Sequence, residues 1–197
     1  MTSPLPVTQR AITVAQLCDL AGVGDEAKAI LRPQDGPRDL VASLVSAELF
    51  ADAVRILAHA LPKREGVWWA WMCAKRATLA PKDAESTALA ATERWIAQPT
   101  EANRRSAMEA GEAATFETAA GCAALAAFLT SGSVGPANVP PVPPPEFASS
   151  QAIAGAVTMA AVATDPERAS DKFRAFIQQA VDVGARINLW GAAAPPA

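Results

Sequence analysis

Eight residues in the middle of the chain, Val67-Trp68-Trp69-Ala70-Trp71-Met72-Cys73-Ala74, constrain everything around them. Trp68 and Trp71 are three apart and Met72 is four from Trp68, so on a helix they share one face. Trp69, Cys73 and Arg76 fall on another. A helix that is apolar almost all round belongs inside a protein, with neighbours on several sides. The flanks agree with a helix from Pro62 to Leu79. Pro62 suits the first helical position, where its missing N–H is not needed. Lys75 and Arg76 stand near the C-terminal end, where the helix dipole favours cations. Each indole can bury on the order of 200 Å², so these rings are expected first as core. The functional alternative is an aromatic pocket or docking patch formed by Trp68, Trp71 and Trp95.

The rest of the chain follows the helical period. Thr13 and Gln16 have capping-box spacing before Val14, Leu17, Cys18 and Ala21, and Gly22 ends that face. Asp25 opens a second short helix that Pro33 stops, and Gln34 to Pro37 reads as a turn. Leu40, Val41, Leu44 and Val45 recur at helical spacing, and a further helix runs from Ala47 to Leu61. Pro81 ends the tryptophan helix, and Lys82 to Ala97 forms the next. Thr100 reads as an N-cap for Glu101 to Ala114, the most polar helix, expected at the surface. Thr115 to Leu129 is rich in small residues that permit close helix approach. Ser149 or Ser150 caps Gln151 to Ala163, whose internal Gly155 costs about 1 kcal/mol relative to alanine, so close packing is expected there. Asp165-Pro166 opens the last helix.

The expected architecture is a single all-α domain, a bundle of about eight helices around the tryptophan helix. An extended arm covers 1–12 and the main helical domain 13–130. A Pro/Gly-rich strap covers 131–150, a C-terminal helical pair packed on the main domain covers 151–190, and a flexible tail covers 191–197. Tyrosine is absent and β-branched residues are sparse, so nothing favours sheets.

Charge and composition narrow the function classes. The net charge is -3 with no long block of one sign, which argues against nucleic acid as a partner. The longest apolar runs, Ala119–Leu129 and Ala152–Ala163, are shorter than the about 20 residues a bilayer requires, so no membrane insertion is expected. Cys18, Cys73 and Cys122 are far apart and odd in number, which suits free thiols in a reducing cytoplasm. The N-terminus shows no signal-peptide pattern.

Chemistry-bearing patterns are few. His59 is the single histidine, and Glu48, Asp52, Arg55 and His59 form one polar stripe at steps of four, three and four. Metal binding or proton transfer is the sharp interpretation of that stripe, and a solvated face with weak exposed pairs is the plain one. No phosphate loop, nucleophile elbow or zinc-protease motif occurs, so no catalytic residue, metal or cofactor is assigned. Pro140 and Pro143 give Pro-x-x-Pro spacing, which suits either a ligand for an aromatic groove or a strap joining two helices, the latter preferred. Arg104-Arg105, Lys75-Arg76 and Lys63-Arg64 are basic pairs that either flank an acidic docking partner or form ordinary helix surface.

Leu61-Pro62-Lys63-Arg64-Glu65 with Trp68-Trp69-Ala70, then Pro99-Thr100-Glu101-Ala102-Asn103-Arg104-Arg105, then Pro140-Pro141-Val142-Pro143-Pro144-Pro145, resemble an uncharacterised family of small all-helical bacterial proteins. The resemblance spans most of the chain and implies a cytoplasmic accessory component near secretion systems. It carries over no catalytic residue. The leading expectation is therefore a non-enzymatic interaction protein, an adaptor or chaperone-like factor with a protein partner and an exposed apolar patch. The alternatives are a small-molecule binder or enzyme with a Trp-lined pocket near His59, and a homo-oligomer that buries its alanine-rich helices between subunits.

Overall fold

A computed structural model of the chain describes residues 13–190 apart from 33, 79, 81 and 137. The expected arm at 1–12, the tail at 191–197 and the stops at Pro33 and Pro81 lie outside the described residues. Ten α-helices and no strand occur among the described residues, so the chain is all-α. The ten helices fall on the ten helical segments read along the sequence, two more than the bundle of about eight that was expected. The helices are α1 Val14–Ala21, α2 Asp25–Ala29, α3 Pro37–Ser46, α4 Phe50–Ala60 and α5 Lys63–Ala77. They continue as α6 Asp83–Ala97, α7 Glu101–Ala114, α8 Ala119–Phe128, α9 Ala148–Val162 and α10 Ala169–Arg186.

Local chemistry sets most boundaries. The Thr13–Gln16 capping box is formed, and Gly22 ends α1 in the left-handed region. Thr100 and Thr118 each accept from a main-chain N–H inside the first turn of α7 and α8. Several ends differ from expectation. Pro62 is the N-cap of α5, with extended backbone, rather than its first helical residue. Glu48 has a left-handed φ of 59°, so α4 begins at Phe50 instead of Ala47. Thr115 likewise has φ 62°, which turns the chain and delays α8 to Ala119. α9 starts at Ala148, three residues early, with Phe147 as its N-cap; Ser149 is already helical. Pro166 opens a 3₁₀ turn over Pro166–Arg168 ahead of α10, because Asp165 itself sits at φ 44°.

At the centre, α5, α8 and α9 pack against one another. α6 and α7 cover α8 on one side, while α4 joins α9, α1 and α3 pack on α4, and α10 lies across α4, α5 and α9. The C-terminal pair therefore supplies part of the core through α9. The polar helix α7 is not peripheral either, since it lies against α6 and α8 and buries Ala107, Ala110, Gly111 and Ala114. Small residues permit this: an added Cβ at Gly111 meets the Cβ of Ala124 at 3.1 Å, and one at Gly66 meets Ile153 Cδ1 at 2.8 Å.

The tryptophans divide by role. Trp69 is fully buried, and its indole N–H donates to the Phe176 carbonyl of α10 at 2.9 Å. Trp95 is also buried. Trp68 and Trp71 are partly buried at the edge of the core, where Trp71 donates to the Leu89 carbonyl at 3.0 Å and lies under Lys75. Core formation thus rests on Trp69, from the face shared with Cys73, more than on the Trp68–Trp71 face. Trp69→Ala is expected to destabilise by about 3–5 kcal/mol and Trp68→Ala by about 1–2 kcal/mol, since only the former empties a sealed site. Urea unfolding of the two variants measures the difference.

Candidate functional site

The segment between α8 and α9 brings four of the expected site residues to one place. It is a folded-back loop rather than an extended spacer. The Val134 N–H donates to the Val142 carbonyl at 2.8 Å, and the N–H groups of Gly135 and Val142 donate to Ser133 Oγ at 3.1 and 3.0 Å. Pro140 and Pro143 are exposed on the returning limb. Val134, Val139 and Val142 are 37%, 45% and 52% exposed, three of the seven large exposed hydrophobics among the described residues. No tryptophan contributes to this loop's hydrogen bonds.

Arg104 and Arg105 hold the loop from α7. Arg104 is 1% exposed, although both arginines were expected at the surface. Its Nε and Nη2 donate to the two Glu101 oxygens at 2.6 and 2.8 Å, a bidentate fork. Nη1 donates to the Phe128 carbonyl at 2.6 Å, and Nη2 also donates to the Ser133 carbonyl at 2.8 Å. The guanidinium lies over the Phe128 ring, 4.4 Å from its centroid. Arg105 donates to Glu101 at 2.7 Å and to the Gly135 carbonyl at 3.2 Å. Lys63, from another of the basic pairs, donates to the Thr130 carbonyl at 2.8 Å. These cations are bound to carbonyls and a carboxylate within the chain, so Arg104 is a structural latch. Glu101 and Gly132 were not singled out from the sequence. Glu101-x-x-Arg104-Arg105 at i, i+3 and i+4 was the available signal.

Gly132 completes the latch. Its φ is +73°, and an added Cβ would stand 2.9 Å from Arg104 Cζ. The hydrogen bond from Arg104, seconded by Arg105, holds the Glu101 carboxyl down to about 2.

His59 lies elsewhere, in a cleft of about 410 Å³ between α1, α4 and α9. Arg55, Gln151, Gly155 and Thr158 share its wall. The expected stripe is broken. Glu48 precedes α4 and binds Arg174 at 2.9 Å, while Asp52 pairs with Arg55 at 3.0 Å and accepts from the Gly24 N–H at 3.2 Å. None of Trp68, Trp71 or Trp95 lines the cleft. No group of three or more potential metal-ligating His, Cys, Asp or Glu side chains occurs among the described residues. Burial raises the thiols of Cys18, Cys73 and Cys122 above their ordinary range, so they are protonated at neutral pH. No described helix is long and apolar enough to cross a membrane.

The profile of the Family of unknown function (DUF6931) matches residues 40–184, from α3 to the last turn of α10. No curated protein matches this chain, and no solved structure matches it.

Glu101 gives a signed pH dependence. Its folded pKa is depressed, so its contribution is present above the ordinary 4.5 and is lost as pH falls toward about 2. Stability of the wild type should therefore fall more steeply across that window than that of Glu101→Gln, as read by denaturant titration at stepped pH. Gly132→Ala is expected to cost roughly 1–3 kcal/mol through its backbone angle and its collision with Arg104. Hydrogen exchange should show the loss as faster exchange at the N–H groups of Val134 and Val142.

Proposed function

The chain belongs to that family, and from its geometry we propose that it is a non-enzymatic interaction protein that offers the loop between α8 and α9 to a protein partner. One observation carries this proposal: three exposed valines stand among prolines on a loop locked by a buried arginine. Apolar side chains in water mark a binding surface when they are grouped. Holding them in place before binding reduces the ordering entropy that association costs. Proline-rich segments suit grooves lined by aromatic rings, so the partner we infer carries such a groove.

A cytoplasmic adaptor or chaperone-like role beside a bacterial secretion apparatus is the setting we attach to this proposal, supported by the sequence resemblance alone. Assembly through the alanine-rich helices draws less support, because nine of the ten residues of α8 are already buried within one chain.

Val139→Asp/Val142→Asp charges the patch and leaves the latch intact. Photo-crosslinking from a probe at position 141 should recover a defined partner with the wild-type patch and lose it with the double variant. An unchanged crosslinking pattern would overturn the proposal. Arg104→Met should weaken the same partner without touching it directly, by freeing the loop.

A further inference from the structure

The returning limb of the loop between α8 and α9 has a backbone that its sequence constrains at nearly every residue. From Val139 to Pro145 it reads Val-Pro-Pro-Val-Pro-Pro-Pro. Each proline holds its φ near about −65°. A residue that precedes a proline is pushed to an extended ψ, and that covers Val139, Pro140, Val142, Pro143 and Pro144. Together the two constraints describe polyproline II, and residues 140–145 belong to no helix, strand or turn.

Three residues complete a turn of that helix, so side chains three apart share a ridge. Val139, Val142 and Pro145 form one ridge, Pro140 and Pro143 a second, Pro141 and Pro144 the third. Pro144 is half-buried and the other six are exposed, so the third ridge is the one turned toward the protein. The two outward ridges meet as Val-Pro pairs, Val139-Pro140 and Val142-Pro143.

Val142 is pinned through its backbone. Its N–H donates to Ser133 Oγ at 3.0 Å, and its carbonyl accepts from the Val134 N–H at 2.8 Å. That N–H is the only one between Pro140 and Pro145, and it is already used. The limb therefore offers a partner carbonyl oxygens and no donor. A strand cannot add to it, because a ladder needs both groups. Its prolines forbid a helix that would lie in a groove. Of strand addition, helix docking and polyproline capture, only the last remains. Glu146 follows the limb, exposed and without an ion pair among the described residues. Arg104 and Arg105, which hold the base of the loop, are committed to Glu101.

On the reading that this loop is the surface offered to a partner, we propose that the partner is a protein whose groove takes the limb as a preformed polyproline II helix. Each Val-Pro pair fills one of two pockets walled by aromatic rings. Indole N–H or phenol O–H groups of those rings donate to the outward carbonyls, and a basic residue at the end of the groove pairs with Glu146. The spacing of the two pairs, rather than apolar area alone, then selects the partner.

The probe is the full chain with a photo-crosslinker in place of Pro141, on the inward ridge, used in extract of the native host. Pro140→Ala and Pro143→Ala each remove a ring from one outward pair and should cut the yield of the captured protein about fivefold or more. Pro145→Ala lies outside both pairs and should change it less than about twofold. Glu146→Lys should lower it about tenfold at low salt, with the deficit shrinking at high salt. Exchange at the Val134 and Val142 N–H groups should stay slow in each variant, which checks that the loop is still closed. Equal yields from the three alanine variants overturn the two-pocket partner, and so does indifference to Glu146→Lys. If Val139→Asp/Val142→Asp still abolishes capture in that case, the loop remains the partner surface and only this assignment falls. Capture that survives the double aspartate variant removes both.

Discussion

A helix with almost no exposed surface sets the conditions for the rest of this fold. In α8 every residue but Leu125 is buried, and the side chains are mostly alanine. Such a helix contributes little apolar area per residue, so it is stabilised by close contact on all sides. α5, α6, α7 and α9 provide that contact. Sealing a helix has a further cost at its C-terminal end, where the last carbonyls have no partner within the helix. Here side chains supply the donors. Ser149 Oγ donates to the Ala126 carbonyl at 3.0 Å, Thr130 Oγ1 to Ala127 at 2.8 Å, and Arg104 to Phe128 at 2.6 Å. The guanidinium also brings positive charge to the negative end of the helix dipole.

From that requirement the loop that follows inherits its rigidity. Arg104 is buried because the end of α8 is buried, and its remaining donors reach Glu101 and Ser133. The desolvated guanidinium is therefore satisfied on several sides, which makes a buried cation tolerable. The loop is thus pinned at its base while Val139 and Val142 remain outside. Their exposure has a simple cause: the prolines around them lack N–H groups, so this limb cannot be drawn into a regular hydrogen-bonded layer.

Much of this architecture is legible in the sequence because helix signals are local. The Thr13 and Thr100 caps, the Gly22 stop and the apolar spacing of α3 to α6 all act within a few residues. What sequence reasoning misses is non-local. Arg104 reads as surface because it sits on a polar helix, and nothing nearby in sequence announces the Phe128 and Ser133 carbonyls. Gly155 reads as a packing glycine because glycine inside a helix carries a cost that close packing would offset. Only the placement of α4 against α9 shows that it faces open space. Trp69 and Trp68 are neighbours in sequence, roughly 100° apart around the helix, and only the packing of α5 decides which ring is sealed.

The loop and the cleft beside His59 share one element. Phe147 ends the loop and caps α9, and its ring lies 5.7 Å from the His59 imidazole, tilted by 38°. Two residues on, Ser149 closes the end of α8. One short stretch thus seals the helix whose burial fixes Arg104 and also covers part of the ring that borders the cleft. The first turn of α9 cannot shift without disturbing both, since interiors packed to this density do not deform continuously. The rigidity that keeps the valines presented is, at its other end, what keeps His59 Nε2 from water.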